Sequence, residues 1–365
     1  MNTIYIVPIE PIDQRYTKQW YENIPALLSA AIKANKLKYK VKTLDGVQLT
    51  AGTTSGAFLD FGATNVYKAS QTQLISEMFS KGEIKAGDKF LVTDAWNFVI
   101  TAIRYQSDLL DIPVEIHGIW HAGAYDPSDI LGYKMSKPWP WFTELGWFHA
   151  CTANYYATEF HRTMFLNNLE IDSIEFGDKI LAEFGSKAIV SGQPHDPIIA
   201  QCEQYASQTK KEMVIWPHRY NDDKQPKIIE DLKKRLDPEV VITQKLNLSK
   251  AEFYEILGEA SVVFSCSLHE NLGISQMEGT LAGAIPVVPD RCSYSEMYLP
   301  EFKYPSVWTE SLQNYKKHKS DIVDFISDRV YNRSKYITAL AYQTDILKNK
   351  YLNANVMINN ILGIL

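Results

Sequence analysis

Cysteine is scarce in this 365-residue chain. The four that occur, Cys151, Cys202, Cys266 and Cys292, stand far apart with no CxxC pair, so neither a zinc knuckle nor a disulfide framework is indicated. They read as reduced, buried thiols. No apolar run reaches the ~18 residues that a membrane-spanning helix needs, and the opening stretch MNTIYIVPIEPIDQRY has neither a basic nor a strongly apolar leader segment. A cytoplasmic protein with no membrane partner is the expectation. With 18 Gly and 16 Pro, fibrous and low-complexity classes are excluded. An excess of positive charge is also missing: 37 Lys and Arg against 43 Asp and Glu give a formal charge of -6, which argues against a general polyanion binder but leaves room for a local basic groove.

What the chain does have is length and apolar content. At 45% hydrophobic and 365 residues it is about twice the size of one domain, so two domains sharing a cleft are expected. Short apolar runs alternate with amphipathic stretches, the pattern of strands and helices over a parallel sheet. Strands are expected at 4–9, 89–93, 114–118, 188–191, 212–216, 240–243, 261–265 and 285–288, and a helix at 20–35. The stretch 173–186 lacks a strand signal and a new strand-helix series begins after it. This places an N-terminal Rossmann-like domain at 1–185, a C-terminal one at 186–335, and a helical segment at 336–365 that can cross back to the first domain. In open α/β sheets ligands bind beyond the carboxyl ends of the strands, so those ends are where chemistry is sought.

The densest signal is SCSLHENLGISQMEGTLAGAIPVVP over 265–289. A strand runs into a loop carrying Glu270, Asn271 and Leu272; then Gly273 opens a helix at Ile274, where free backbone N–H groups suit a phosphate. Glu278, further along that helix, can accept two hydrogen bonds from the vicinal hydroxyls of a ribose, while Glu270 can meet a second polyol. The plainer reading makes Glu270 a helix cap and Glu278 a solvated face residue. Upstream, at the end of another strand, His218, Arg219 and Lys224 precede a helix beginning near Pro226. Two cations facing a helix N-terminus suit a diphosphate whose leaving charge must be stabilised. Their alternative is a surface ion pair with Asp222 or Asp223.

The two glutamates separated by seven residues, followed by a small-residue helix and a Gly-x-x-Pro strand, resemble the EX7E signature of retaining GT-B glycosyltransferases. The Arg219 and Lys224 spacing is similar to the cation pair of the same enzymes. The wording HR-x4-K-x-P, and the PDR-x-x-Y-x-E turn at 289–296, are especially similar to mannosyltransferases that modify queuosine in tRNA. The resemblance covers 187–300 by motif and the N-terminal half by architecture alone. It implies a GT-B fold, two Rossmann-like domains facing a central cleft, and transfer from a UDP-sugar with retention. It also implies no required metal and no cofactor beyond the sugar nucleotide. His218, Asn271, Leu272, Gly273, Ile274 and Glu278 would hold the donor; Arg219, Lys224 and Glu270 would serve the reaction.

On the N-terminal side the resemblance implies a histidine facing the donor sugar, and His121, in the EIHGIWHAGAYD stretch, is chosen for it; His117 reads as structural. Asp94, beyond the second expected strand, either orients an acceptor hydroxyl or caps a helix. Many relatives of this fold have a Gly-rich loop after the first strand; this chain departs from them with Glu10-Pro11-Ile12-Asp13-Gln14-Arg15-Tyr16, so the family's acceptor and phosphate contacts are not carried over to that loop. Arg15 is a second acceptor-side candidate. Trp141 is a third, in what reads as an aromatic loop, PWPWF at 138–142, behind Lys134 and Lys137. Five lysines with no acid, Lys33, Lys36, Lys38, Lys40 and Lys42, read either as a solvated edge strand using Lys against aggregation or as a phosphate-backbone contact. The expected acceptor is 5-hydroxymethylcytosine in phage DNA, with glucosyl or arabinosyl transfer in the host cytoplasm. Two readings compete with it: a transferase of cell-surface polysaccharide or glycolipid synthesis, and a nucleotide-sugar epimerase.

Overall fold

In a computed structural model that describes residues 1–13, 15–49, 59–168 and 185–364, the chain builds two sheets whose strand pairs are all parallel. The first contains β1 (Asn2–Val7), β2 (Tyr39–Thr43), β3 (Lys89–Val92), β4 (Glu115–Ile119), β5 (Ala153–Tyr156) and β6 (Ala188–Val190), in the order β2-β1-β3-β4-β5-β6. The second contains β7 (Lys211–Trp216), β8 (Glu239–Ile242), β9 (Ala260–Phe264), β10 (Ile285–Pro289) and β11 (Lys303–Tyr304), in the order β11-β10-β9-β7-β8. The central strands β3, β9 and β10 are buried along their whole length, which is why they read as continuous apolar runs: helices cover both faces of a parallel sheet.

The chain divides into two compact units, Met1–His195 with Ala354–Leu365, and Asp196–Asn353. This moves the boundary expected at 185/186. β6 pairs with β5 through Asn154–Ala188, Tyr155–Ile189 and Tyr156–Val190, so the strand after residue 187 closes the first sheet and does not open the second. Of the stretch that suggested the boundary, residues 173–184 lie outside the described residues. The second unit also runs past 335, because the helices Leu312–Tyr331 and Ile337–Ile346 give Tyr315, Ile322, Ile326, Val330 and Leu340 to its core.

The final helix, Asn355–Leu362, belongs to the first unit. Its Met357, Ile358 and Ile361 join Ile4 and Ile6 of β1 and the stripe Trp20, Ile24, Leu28 and Ile32 of the helix Tyr16–Ala34. That stripe repeats every four residues, one face of an α-helix, and full burial of each such side chain stabilises by about 1.5–3 kcal/mol. A polar relay reinforces the contact: Lys89 Nζ donates to Glu115 Oε2 at 2.8 Å and to the Ile361 carbonyl at 2.8 Å, and Tyr155 donates to Asn360 Oδ1 at 2.7 Å. The PWPWF stretch begins a helix, Pro138–Ala150; proline is tolerated in a first turn, where its missing N–H has no partner to lose.

Candidate functional site

β9 ends at Phe264 and the chain loops through 265–272 to Gly273, whose φ of +74° starts the helix Ile274–Leu281. A side chain is excluded at Gly273 twice over. Positive φ disfavours it, and a Cβ there would lie 2.7 Å from the ring of the buried Tyr294. The N–H groups of Gln276 and Met277 turn back to the Gly273 carbonyl at 3.1 and 3.2 Å, which leaves those of Ile274 and Ser275 as the donors at that helix end. Leu272 is buried; Asn271 and Ile274 are half-buried.

The loop is pinned from β7. Past Trp216 comes buried His218, then exposed Arg219, then a single 3-10 turn, Asp222–Lys224. Lys224 is buried, and its Nζ donates to the His269 carbonyl at 2.7 Å and to Ser267 Oγ at 2.9 Å. It also pairs with Glu270 Oε1 at 2.8 Å and Asp223 Oδ2 at 2.9 Å. Burial works against the lysine charge, yet the carboxylates of Glu270 and Asp223 outweigh it and raise its pKa. For Glu270 burial works upward, and the Lys224 charge brings the carboxyl below its usual range. The pair is ionised. The expected alternative for Lys224, an ion pair with Asp223, is therefore present, but the lysine is buried and shared with Glu270.

His218 Nδ1 stands 3.7 Å from Glu270 Oε1, and its Nε2 is buried with no hydrogen-bond partner among the described residues. Burial first, and then the Lys224 and Arg219 charges, hold its pKa down to about 4, so it is neutral at pH 7. Arg219 is exposed, and among the described residues nothing bonds its guanidinium. The structure thus brings His218, Lys224 and Glu270 together at the carboxyl ends of β7 and β9, with Arg219 at their rim.

Glu278 is buried, which corrects its reading as a solvated face residue. Its Oε1 accepts from Lys250 Nζ at 2.8 Å and from Tyr254 Oη at 2.9 Å, both on the helix Lys250–Glu259. Lys250 also lies over the Tyr254 ring, 4.5 Å from its centroid. Neither partner was legible in the sequence: twenty-odd residues separate each from Glu278, and only the packing of two helices brings them together.

In the first unit Asp94 is no helix cap, since the next helix, Val99–Leu109, starts behind Phe98. Asp94 Oδ2 pairs with Lys68 Nζ at 2.9 Å, and Oδ1 accepts from Trp96 N–H at 3.2 Å. His121 is within bonding range of the Thr93 carbonyl through Nε2 at 2.6 Å and of Tyr16 Oη through Nδ1 at 3.4 Å, with Trp20 against its ring at 4.7 Å. Nε2 therefore carries the proton. Burial lowers the His121 pKa, which keeps the ring neutral. His117 is structural: buried, it bridges Tyr155 Oη at 2.8 Å and Glu115 at 3.2 Å. Arg15 is the half-buried residue before the helix Tyr16–Ala34. Trp141 packs on the first core and against Phe142, so it is not a loop residue; Trp139 and Phe142 are the exposed aromatics of that helix.

One residue that sequence reasoning passed over is Glu144. Buried on the helix Pro138–Ala150, its Oε1 accepts from Trp96 Nε1 at 2.6 Å and from the Ala124 N–H at 2.5 Å, tying the loop after β3 to the loop that bears His121. Burial outweighs these bonds and pushes its pKa up to about 7. A lone carboxylate in the apolar run PWPWFTELGWFHA was the available signal.

No protein-family model matches the chain. A stretch of 132 residues is 26% identical to the tRNA-queuosine alpha-mannosyltransferase of Drosophila melanogaster, covering 28% of this chain and 35% of that protein. Among solved structures, Anabaena HepE in complex with UDP and glucose matches with a TM-score of 0.56 at 12% identity, over 99% of this chain and 98% of that one. The catalytic domain of Arabidopsis thaliana starch synthase IV, bound to ADP and acarbose, matches with a TM-score of 0.57 at 11% identity over 100% and 98%. Staphylococcus aureus TarM, in complex with UDP among other ligands, gives 0.55 at 11% over 100% and 98%. The chain has the GT-B fold that these structures share.

Proposed function

We propose that the chain is a glycosyltransferase that takes a sugar from a UDP-sugar, with the donor held by its second unit. The observation that carries this reading is the grouping of His218, Lys224 and Glu270 beside the Gly273 helix start, with Arg219 exposed and unpaired at the rim. In this reading Arg219 and the N–H groups of Ile274 and Ser275 receive the diphosphate. Lys224 reaches a phosphate oxygen only by exchanging a carboxylate for it, whereas Arg219 needs no exchange. The neutral His218 ring and the ionised Glu270 carboxylate face the sugar, and Glu278, steadied by Lys250 and Tyr254, takes the ribose hydroxyls. As in the retaining enzymes the sequence resembles, the leaving diphosphate oxygen takes up the acceptor proton on the same face, so no covalent nucleophile and no metal is assigned. UDP and UDP-glucose in the HepE structures support the choice of donor. Calorimetric titration of UDP into the wild type and Arg219→Ala tests the site; equal affinities would refute it.

For the acceptor we propose a hydroxylated base in nucleic acid, in its concrete form 5-hydroxymethylcytosine in phage DNA. The stretch similar to a tRNA-modifying mannosyltransferase supports a nucleic-acid acceptor. So do the exposed Tyr133, Trp139 and Phe142, which offer stacking surface beside Lys134 and Lys137. Mass analysis of hydroxymethylated and plain DNA after incubation with a panel of UDP-sugars tests it. Transfer to a glycan or lipid acceptor but to neither DNA would select the polysaccharide reading.

A further inference from the structure

We propose that the outer edge of the first sheet, the row Lys38, Lys40 and Lys42 with Lys33 and Lys36 at its head, is the surface on which the phosphate backbone of duplex DNA docks. Among the described residues β2 is the terminal strand of its sheet and pairs only with β1. Tyr39 and Val41 turn inward and pack on the core under the helix Tyr16–Ala34. The two-residue period of a strand therefore sends Lys38, Lys40 and Lys42 to the opposite face. All five lysines are exposed.

Some lysines elsewhere meet carboxylates, as in Lys68–Asp94, Lys81–Glu77, Lys89–Glu115, Lys224–Glu270 and Lys250–Glu278, while others, such as Lys316 and Lys317, have no ion pair among the described residues. The five on this edge make no ion pair or side-chain hydrogen bond among the described residues, and the nearest acid in sequence, Asp45, is engaged by the Tyr21 hydroxyl at 3.1 Å. Lysines on an edge strand guard it against pairing with another chain. Five unpaired charges of one sign also create a local positive field, on a chain whose formal charge is -6. Alternate residues of a strand repeat about every 6.6 Å, comparable to the separation of successive phosphates along one strand. The row also runs toward the carboxyl edge of the sheet, the side on which the loops bearing Asp94 and His121 emerge.

This inference deepens the nucleic-acid acceptor proposed above and rests on it. The test titrates a labelled duplex DNA and a labelled tRNA, separately, by anisotropy from about 50 to about 200 mM salt. It compares the wild type, the triple variant Lys38→Gln, Lys40→Gln, Lys42→Gln, and a control with equal charge loss, Lys316→Gln, Lys317→Gln, Lys319→Gln. Each lysine that touches a duplex phosphate adds about 0.9 to the salt slope, so over that range the wild type should lose about 40-fold more affinity than the edge variant if all three make contact. The duplex DNA should show this loss. Equal slopes in wild type and edge variant with the DNA, an equal slope change in the control, no wild-type binding to the DNA, or the loss with the tRNA in place of the DNA would overturn the proposal. UDP titration of the edge variant separates the two claims: unchanged UDP affinity leaves the donor site standing whatever the fate of the lysine row, and absence of UDP binding in the wild type removes the transferase reading alone.

Discussion

The Lys224 ammonium stands 2.8 Å from Glu270 Oε1, and the same nitrogen holds the His269 carbonyl at 2.7 Å. One buried cation thus fixes both a carboxylate of the EX7E pair and the backbone of the loop that carries it. Lys224 is in this respect a different kind of residue from Arg219, although the sequence pairs them.

Lys224→Ala should unfold more readily than the wild type by about 3–5 kcal/mol, because it leaves the largely buried Glu270 carboxylate without its cation. Arg219→Ala should stay within about 0.5 kcal/mol of wild-type stability while UDP affinity falls by about 1.5–3 kcal/mol. Urea melts and calorimetry on both variants check the contrast. An Arg219 variant that melts like the wild type and binds UDP like it would remove Arg219 from the site.

Glu278→Ala should weaken UDP binding by about 1.5–3 kcal/mol, the worth of hydrogen bonds to a charged group. Lys250→Met, which removes one of the two groups holding the carboxylate, should have a smaller effect in the same direction. If Lys250→Met alone abolished UDP binding and Glu278→Ala did not, the lysine and not the glutamate would be the nucleotide contact.

Gly273→Ala forces a Cβ to within 2.7 Å of the Tyr294 ring at a φ of +74°. It should cost roughly 1–3 kcal/mol of stability and lower UDP affinity as the helix start shifts. Gly273→Ala with Tyr294→Leu should recover part of the stability, since the steric half of the penalty is relieved while the backbone half remains. A thermal melt series decides.

Glu144 gives the fold a pH dependence of known sign. Its native pKa, near 7, lies above its unfolded value of about 4.3. Its contribution is therefore fully present below about pH 4.3, falls as pH rises toward 7, and is lost above that. Glu144→Gln copies the protonated form and keeps an acceptor for Trp96 and Ala124. It should flatten this limb of the stability profile and gain on the wild type above pH 7. In NMR the Trp96 indole N–H, assigned with Trp96→Phe, should shift with a midpoint near 7 in the wild type and stay fixed in Glu144→Gln. A Trp96 resonance that ignores pH in both proteins would refute the titration.

The sequence by itself determined the α/β class, most strands of both sheets, the glycine at the helix start and the candidacy of Glu270, Glu278, Arg219 and Lys224. These are properties of local spacing: an apolar run between breakers, or a polar residue a fixed number of positions beyond a strand. Only the tertiary structure decided the rest. Pairing with β5 assigned Ala188–Val190 to the first sheet. Packing on β1 assigned the last helix to the first unit. Burial separated Lys224 from Arg219, and helix contact supplied Glu278 with Lys250 and Tyr254. Glu144 needed Trp96 and the 124 backbone brought to it from two other elements. The physical reason is the same in each case. Desolvation and hydrogen-bond partners depend on what lies across a packed interface, and the residues that meet there are separated along the chain by more than any local pattern spans.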